Sequence, residues 1–249
     1  MLPSNVDKTR ISPSAAELWA YFDRVFCISL EDRADRRQSA RDQFRKIGLA
    51  DRVEFVIVNK HPTNSEQGIF ESHMRCIRMG IKAAAQTILI FEDDVVFDRF
   101  NTCVLEESIR FLSSNSKWKL FFFGCLADSS QKTKNRFVLQ IRYRSLAHAY
   151  VIQRRFAESL VKQSWQHTPY DTMLQAQSAQ YYVAYPAFAF QSNTRTDNTR
   201  FLMRDRMRRL FGGLERIQKL NEWYLRHRSV VIGIHIFLIL ILLILVAAY

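Results

Sequence analysis

The sequence predicts an α/β domain on a mostly parallel sheet, followed by a basic amphipathic helix and a C-terminal helix that crosses a membrane. Two observations predict the domain. Short apolar runs, RVFCISL (24–30), VEFVIVN (53–59), TILIF (87–91) and KLFFFGC (119–125), alternate with segments of helical periodicity, and no repeat or Pro/Gly-rich linker divides residues 20–198. A third observation predicts the anchor: residues 229–249 read SVVIGIHIFLILILLILVAAY, with one histidine and no Asp, Glu, Lys or Arg.

Residues 1–19 form an N-terminal extension without an apolar signal-like core, so no secretory signal is expected. The run 24–30 suits a buried parallel strand, and 34–47 reads as an Arg-rich helix stopped by Gly48. After the strand 53–59 comes a loop, HPTNSEQG, and then a helix over 71–86 with Met74, Ile77, Ile81 and Ala84 on one face. The strands 87–91 and 119–125 complete a domain placed at 20–199. With 249 residues, 48% of them hydrophobic, the chain can bury a substantial core.

The formal net charge is +12, and residues 200–228 hold nine Lys/Arg against Asp205, Glu215 and Glu222, which is half of that excess. The cations lie beside the anchor, and no aromatic-interleaved basic surface occurs elsewhere, so an anionic membrane surface is the expected partner and nucleic acid is not. Residues 200–228 read as an amphipathic interfacial helix or a charged stalk, bent at Gly212-Gly213. At about 1.5 Å per residue, 229–249 just spans a hydrocarbon core of about 30 Å. Arg226 and Arg228 at its near end place the domain on the cytosolic side. Four cysteines without close metal-ligand spacing and the absence of any N-x-[ST] sequon agree with that side.

Chemistry concentrates in FEDDVVFD (91–98). Ligands of open parallel sheets sit beyond the carboxyl ends of the strands, and Glu92, Asp93 and Asp94 follow the apolar run of the third strand. Oxygen ligands at this density suit Mg²⁺ or Mn²⁺ against a substrate diphosphate. Taken alone, a solvated acidic turn explains them equally well.

The trio is one of three ordered motifs. VFCISLEDRADRR (25–37), EQGIFESHMRCIRMGIKA (66–83) and ILIFEDDVVF (88–97) resemble, in order and spacing, the motifs of glycosyltransferase family 25, which includes lipooligosaccharide and collagen galactosyltransferases. Asp35 and Arg36 match its D-R; Glu66, Gly68, Ser72 and His73 match its E-x-G-C-x-x-S-H; Glu92, Asp93 and Asp94 match its E-D-D. AHAYVIQRRFAESLV (147–161) and TPYDTMLQ (168–175) extend the similarity more loosely, to about 25–191. Ser29 replaces the family's usual Asn and Ile69 its usual Cys.

The resemblance implies a GT-A-like nucleotide-sugar-binding fold and a metal-dependent, inverting transfer of a hexose, such as galactose from UDP-galactose, to a glycan, glycolipid or protein hydroxyl, as in lipopolysaccharide biosynthesis. It implies Asp93 and Asp94 as ligands of Mn²⁺ or Mg²⁺, and Arg36, Ser72, His73 and Glu92 as contacts to the nucleotide sugar. Asp171 is the candidate base or acceptor contact, or alternatively the N-cap of a helix from Thr172. An inactive membrane adaptor of the same fold is the second reading.

Overall fold

The computed structural model describes residues 13–177, 179–193 and 212–247. Its centre is an eight-stranded sheet in the order β2-β1-β3-β8-β5-β9-β7-β6. The strands are β1 (Arg24–Leu30), β2 (Val53–Val58), β3 (Thr87–Glu92), β5 (Leu120–Phe122), β6 (Leu126–Lys132), β7 (Val138–Ser145), β8 (Ala149–Gln153) and β9 (Tyr181–Ala184). β4 (Val95–Phe97) and β10 (Ala189–Gln191) pair separately as a short antiparallel ribbon. β1 pairs parallel with β2 and β3, and β5 with β9; β8 and β7 are inserted antiparallel. The parallel expectation therefore holds for the strands that bear the motifs.

Successive strand side chains face opposite ways, so the central strands, buried on both faces, feed two core clusters. Val25, Cys27, Leu89 and Phe91 face one cluster, which α1 (Ala15–Trp19), α2 (Ala34–Lys46) and α4 (Thr102–Ser114) cover. Phe26, Ile88 and Ile90 face the other, beneath α3 (Ser65–Lys82), α5 (Arg154–Leu160) and α6 (Tyr170–Ala176). The core reaches further back than Ala20: Trp19 is fully buried, and its indole N–H donates to the Ile47 carbonyl at 2.8 Å.

The second motif needs correction. The segment expected as the end of a loop is helical from Ser65, and α3 stops at Lys82, so His73 lies in mid-helix. Asn64 is the N-cap, its side-chain oxygen accepting from the Glu66 and Gln67 amides at 3.1 and 3.3 Å. Gly68, which read as a loop residue, is a close approach inside the helix: a Cβ there would lie 2.9 Å from the His61 Cβ. Replacing Asn64 by alanine is expected to lower stability by about 1 kcal/mol, measured by urea denaturation, because two first-turn amides lose their acceptor.

The last helix, α7 (Gly213–Ala247), runs unbroken from the domain into the apolar tail. Its stretch Gly213–Ile244 is long and apolar enough to cross a membrane. Residues 200–211 of the expected amphipathic segment lie outside the described residues. In the remainder, Gln218, Asn221 and Glu222 bond to the domain while Leu220, Trp223 and Tyr224 stay exposed.

Candidate functional site

β3 carries Glu92 as its last residue, and the turn to β4 presents Asp93 and Asp94 at the carboxyl end of the central parallel strands. All three acids therefore stand where the sequence places them. Arg36 in the first turn of α2 reaches across from β1's side, its Nη1 lying 3.5 Å from Asp93 Oδ1 and 4.0 Å from Asp94 Oδ2. Arg33 instead forks onto Asp35 at 3.0 Å, and that exposed aspartate is held down to about 2 chiefly by this bond. Of the D-R pair, only the arginine faces the crevice.

Arg36, with the charge of Arg33 adding to it at Asp93, does not offset the burial of the carboxylates. Burial pushes Asp94 up to about 7, with the Glu92 charge adding to it. Glu92 is pushed up to about 8 by burial and then by the charges of Asp171 and Asp93. Asp93 is raised too, again by burial, against the bonds from Ser29 and Arg36. Ser29 thus stands beside the acids as a hydroxyl contact.

His73 is buried and does not open to the crevice. Its Nδ1 is 3.0 Å from the Tyr150 hydroxyl, its Nε2 is 3.3 Å from Glu92 Oε1, and its ring stacks on Tyr170 at 4.2 Å. Burial holds it down to about 4, so it stays neutral and orients Glu92 from below. Tyr150 and Tyr170 continue the chain of bonds at 2.7 Å. Ser72 donates to the Gly68 carbonyl of its own helix at 2.6 Å, which occupies its proton within α3.

Asp171 lies in the first turn of α6 behind its N-cap, Pro169, so it does not cap the helix. Its oxygens accept from Tyr143 OH at 2.5 Å and from the Leu146 and Ala147 amides at 3.0 and 3.2 Å. These bonds fix the turn between β7 and β8, which returns the chain to β3: the His148 carbonyl accepts from the Glu92 amide at 2.9 Å. The His148 ring is buried with a carbonyl beside each nitrogen, Leu146 O and Ala189 O, both at 3.2 Å.

Gln191 is the site residue that the motifs did not reveal. Its Nε2 donates to Asp94 Oδ2 at 2.9 Å and lies 3.5 Å from Glu92 Oε2. It sits on a three-residue strand with no periodicity to read, so only proximity in space identifies it.

Among the described residues, no three His, Cys, Asp or Glu side chains are gathered as a metal cage. The fit is instead to a cation held by one or two carboxylates that takes its other ligands from water and substrate. Asp94 Oδ1 is buried and, among the described residues, without a hydrogen-bond partner, as such a ligand oxygen would be.

Comparison with known proteins agrees with the motifs. Residues 54–174 match the family described as Glycosyltransferase family 25 (LPS biosynthesis protein), a stretch that includes the second and third motifs. A "Glycosyltransferase 25 family member" of Drosophila pseudoobscura pseudoobscura is 28% identical, the match covering 41% of this chain and 20% of that protein. The chain thus spans about a fifth of the length of this curated relative. Among solved structures, A197 from STIV is similar at a TM-score of 0.40 and 12% identity, over 68% of this chain and 85% of that one. A glycosyltransferase involved in the glycosylation of the major capsid of PBCV-1 is similar at 0.40 and 11% identity, over 74% and 99%.

Proposed function

We propose that the protein is a membrane-anchored, metal-dependent glycosyltransferase that moves a hexose from a UDP-sugar, UDP-galactose or a close analogue, to a hydroxyl of a glycan, glycolipid or protein. The observation that carries this reading is the gathering of three carboxylates at the end of β3, whose charge Arg36 offsets only in part, with Asp94 Oδ1 buried and, among the described residues, without a hydrogen-bond partner. Asp93 and Asp94 would hold Mn²⁺ or Mg²⁺. When bound, the metal supplies a Lewis acid for the charge that grows on the departing diphosphate.

The chain's own residues do the rest. Arg36 is placed to donate to a phosphate oxygen when a cation takes over the two aspartates, since guanidinium matches that geometry. Glu92, held by His73 and Gln191, is the carboxylate placed to serve as an acceptor-side base. Asp171, with both oxygens accepting from the 143–147 segment, serves in this reading as the residue that positions the β7–β8 turn.

The experiment is the thermal midpoint of the full chain in detergent, with Mn²⁺ and a panel of nucleoside diphosphates, beside Asp93→Asn. The full chain is needed because α7 bonds to the strands of the site. UDP with Mn²⁺ should raise the midpoint of the parent and leave the variant unmoved, since a ligand that binds only the folded state stabilises it. A folded parent that responds to no nucleotide would move the inactive adaptor ahead.

A further inference from the structure

The anchor helix does more than tether the domain. Its first turns carry Gln218, Lys219, Asn221 and Glu222 on the face that meets the domain. Lys219 Nζ donates to Asp98 Oδ2 at 2.6 Å, just past β4, and Glu222 Oε2 accepts from the Ala187 amide at 3.0 Å, just before β10. The Asn221 side chain accepts from the Ala127 amide and donates to its carbonyl, at 3.0 and 3.1 Å, as a neighbouring strand would. All these partners flank the β4–β10 ribbon or begin β6.

Gln218 reaches furthest in. It is 3% exposed, and its Oε1 accepts from the Gln191 backbone amide at 3.0 Å. The Gln191 side chain donates to Asp94, and the Ser192 amide donates to the Asp94 carbonyl at 2.8 Å. Gly124 lets this corner close, because a Cβ there would lie 1.8 Å from the Ala189 carbonyl oxygen and 3.3 Å from Gln218 Nε2. Among the described residues, three buried polar atoms along this line, Asp94 Oδ1, Gln191 Oε1 and Gln218 Nε2, have no hydrogen-bond partner. Buried polar groups are ordinarily satisfied, so these three atoms are open to a hydrogen bond from a bound group.

We propose that Gln191 and Gln218 are positioning residues of the acidic site, and that docking of the membrane helix is thermodynamically linked to its filling. Gln218 fixes β10, β10 aims Gln191, and Gln191 holds Asp94 in place. A ligand that pairs with Asp94 and Gln191 strengthens the seat of α7, and loss of that seat weakens the ligand by the same factor. The link to a nucleotide ligand rests on the donor-site reading above; the positioning of β10 by α7 does not.

Two measurements on the full chain in nanodiscs separate these claims. In ligand-free hydrogen exchange, Gln218→Leu, or Gln218→Met if leucine packs badly, should raise exchange at Asp94–Phe97 and Gln191–Asn193. Arg226→Ala, which removes a helix contact to Tyr185 away from Gln191, should leave those segments as in the parent. Equal exchange at both segments in the Gln218 variants and the parent would overturn the proposal, whatever the ligand does. For Mn²⁺ titrated in the presence of UDP and followed by electron paramagnetic resonance, the Gln218 variants should bind about tenfold more weakly and Arg226→Ala unchanged. UDP and Mn²⁺ should also slow exchange over 214–222 in the parent. Binding that is equal in parent and variants, with no slowing over 214–222, would overturn the linkage. A parent that binds neither would sink the donor-site reading while the ligand-free comparison still decides the positioning.

Discussion

Replacing Asp94 by asparagine will make the ligand-free protein melt at or above the parent's temperature and will cut sugar transfer by at least about 10³-fold, some 4 kcal/mol of transition-state stabilisation. Both effects have one cause. Asp94 is buried beside Glu92 and Asp93, so its charge is a cost to the folded state that no described partner on Oδ1 relieves. Asparagine removes that charge and keeps an oxygen for the bond from Gln191. In the proposed reading it also removes the carboxylate that would gather a cation onto a donor diphosphate. Thermal denaturation and transfer of labelled hexose from a UDP-hexose measure the two. A variant that melts well below the parent would mean that Asp94 is a structural acceptor, and one that keeps its activity would remove it from the metal site.

The second large effect is a fall in ligand-free stability as pH rises from about 6.5 to 8.5. Glu92 and Asp94 have folded values of about 8 and about 7, above the ordinary 4.5 and 3.8. A group raised in the folded state contributes stability that is whole below its unfolded value and is lost as pH climbs through the folded one. The two acids therefore titrate against the fold in this window. His73 and His148, each held down to about 4, act oppositely, but mainly below pH 6.5, where the unfolded histidines take up protons. The net fall is on the order of 2 kcal/mol by linkage at 1.36 kcal/mol per pH unit for each group. Urea midpoints across the window would show it. Glu92→Gln and Asp94→Asn should each flatten the curve, and an equally steep fall in both variants would place the titrating groups elsewhere.

Much of the fold was legible because its parallel strands are buried on both faces and read as unbroken apolar runs. β1 was placed to the residue, and β2, β3 and the helix after β1 to within one. The start of α3 was missed because Gly68 outweighed the Asn64 cap, a local signal that was present. α1 was missed as part of the domain, although its Ser14–Glu17 capping box is written in the sequence. The inserted strand β8 and the β4–β10 ribbon were not legible, since their pairings join residues far apart in the chain, while β7 pairs locally with β6 but across an irregular register. The site divides in the same way. Acids clustered in one turn announced themselves, whereas Gln191 and Gln218 acquire meaning only through a bond between a three-residue strand and a helix some twenty residues further on.

The unbroken course of α7 also determines what the crevice can reach. From Gln218 at the acidic site to Ser229, where the apolar run begins, the helix rises about 16 Å, at 1.5 Å per residue. With that run seated in a bilayer, the domain has no swivel between crevice and lipid, so its height and heading above the surface are set together. In the proposed reading, reachable acceptor hydroxyls would then occupy a thin slab parallel to the membrane, and a molecule that carries its hydroxyl group at another altitude would be excluded by geometry before any pocket is consulted.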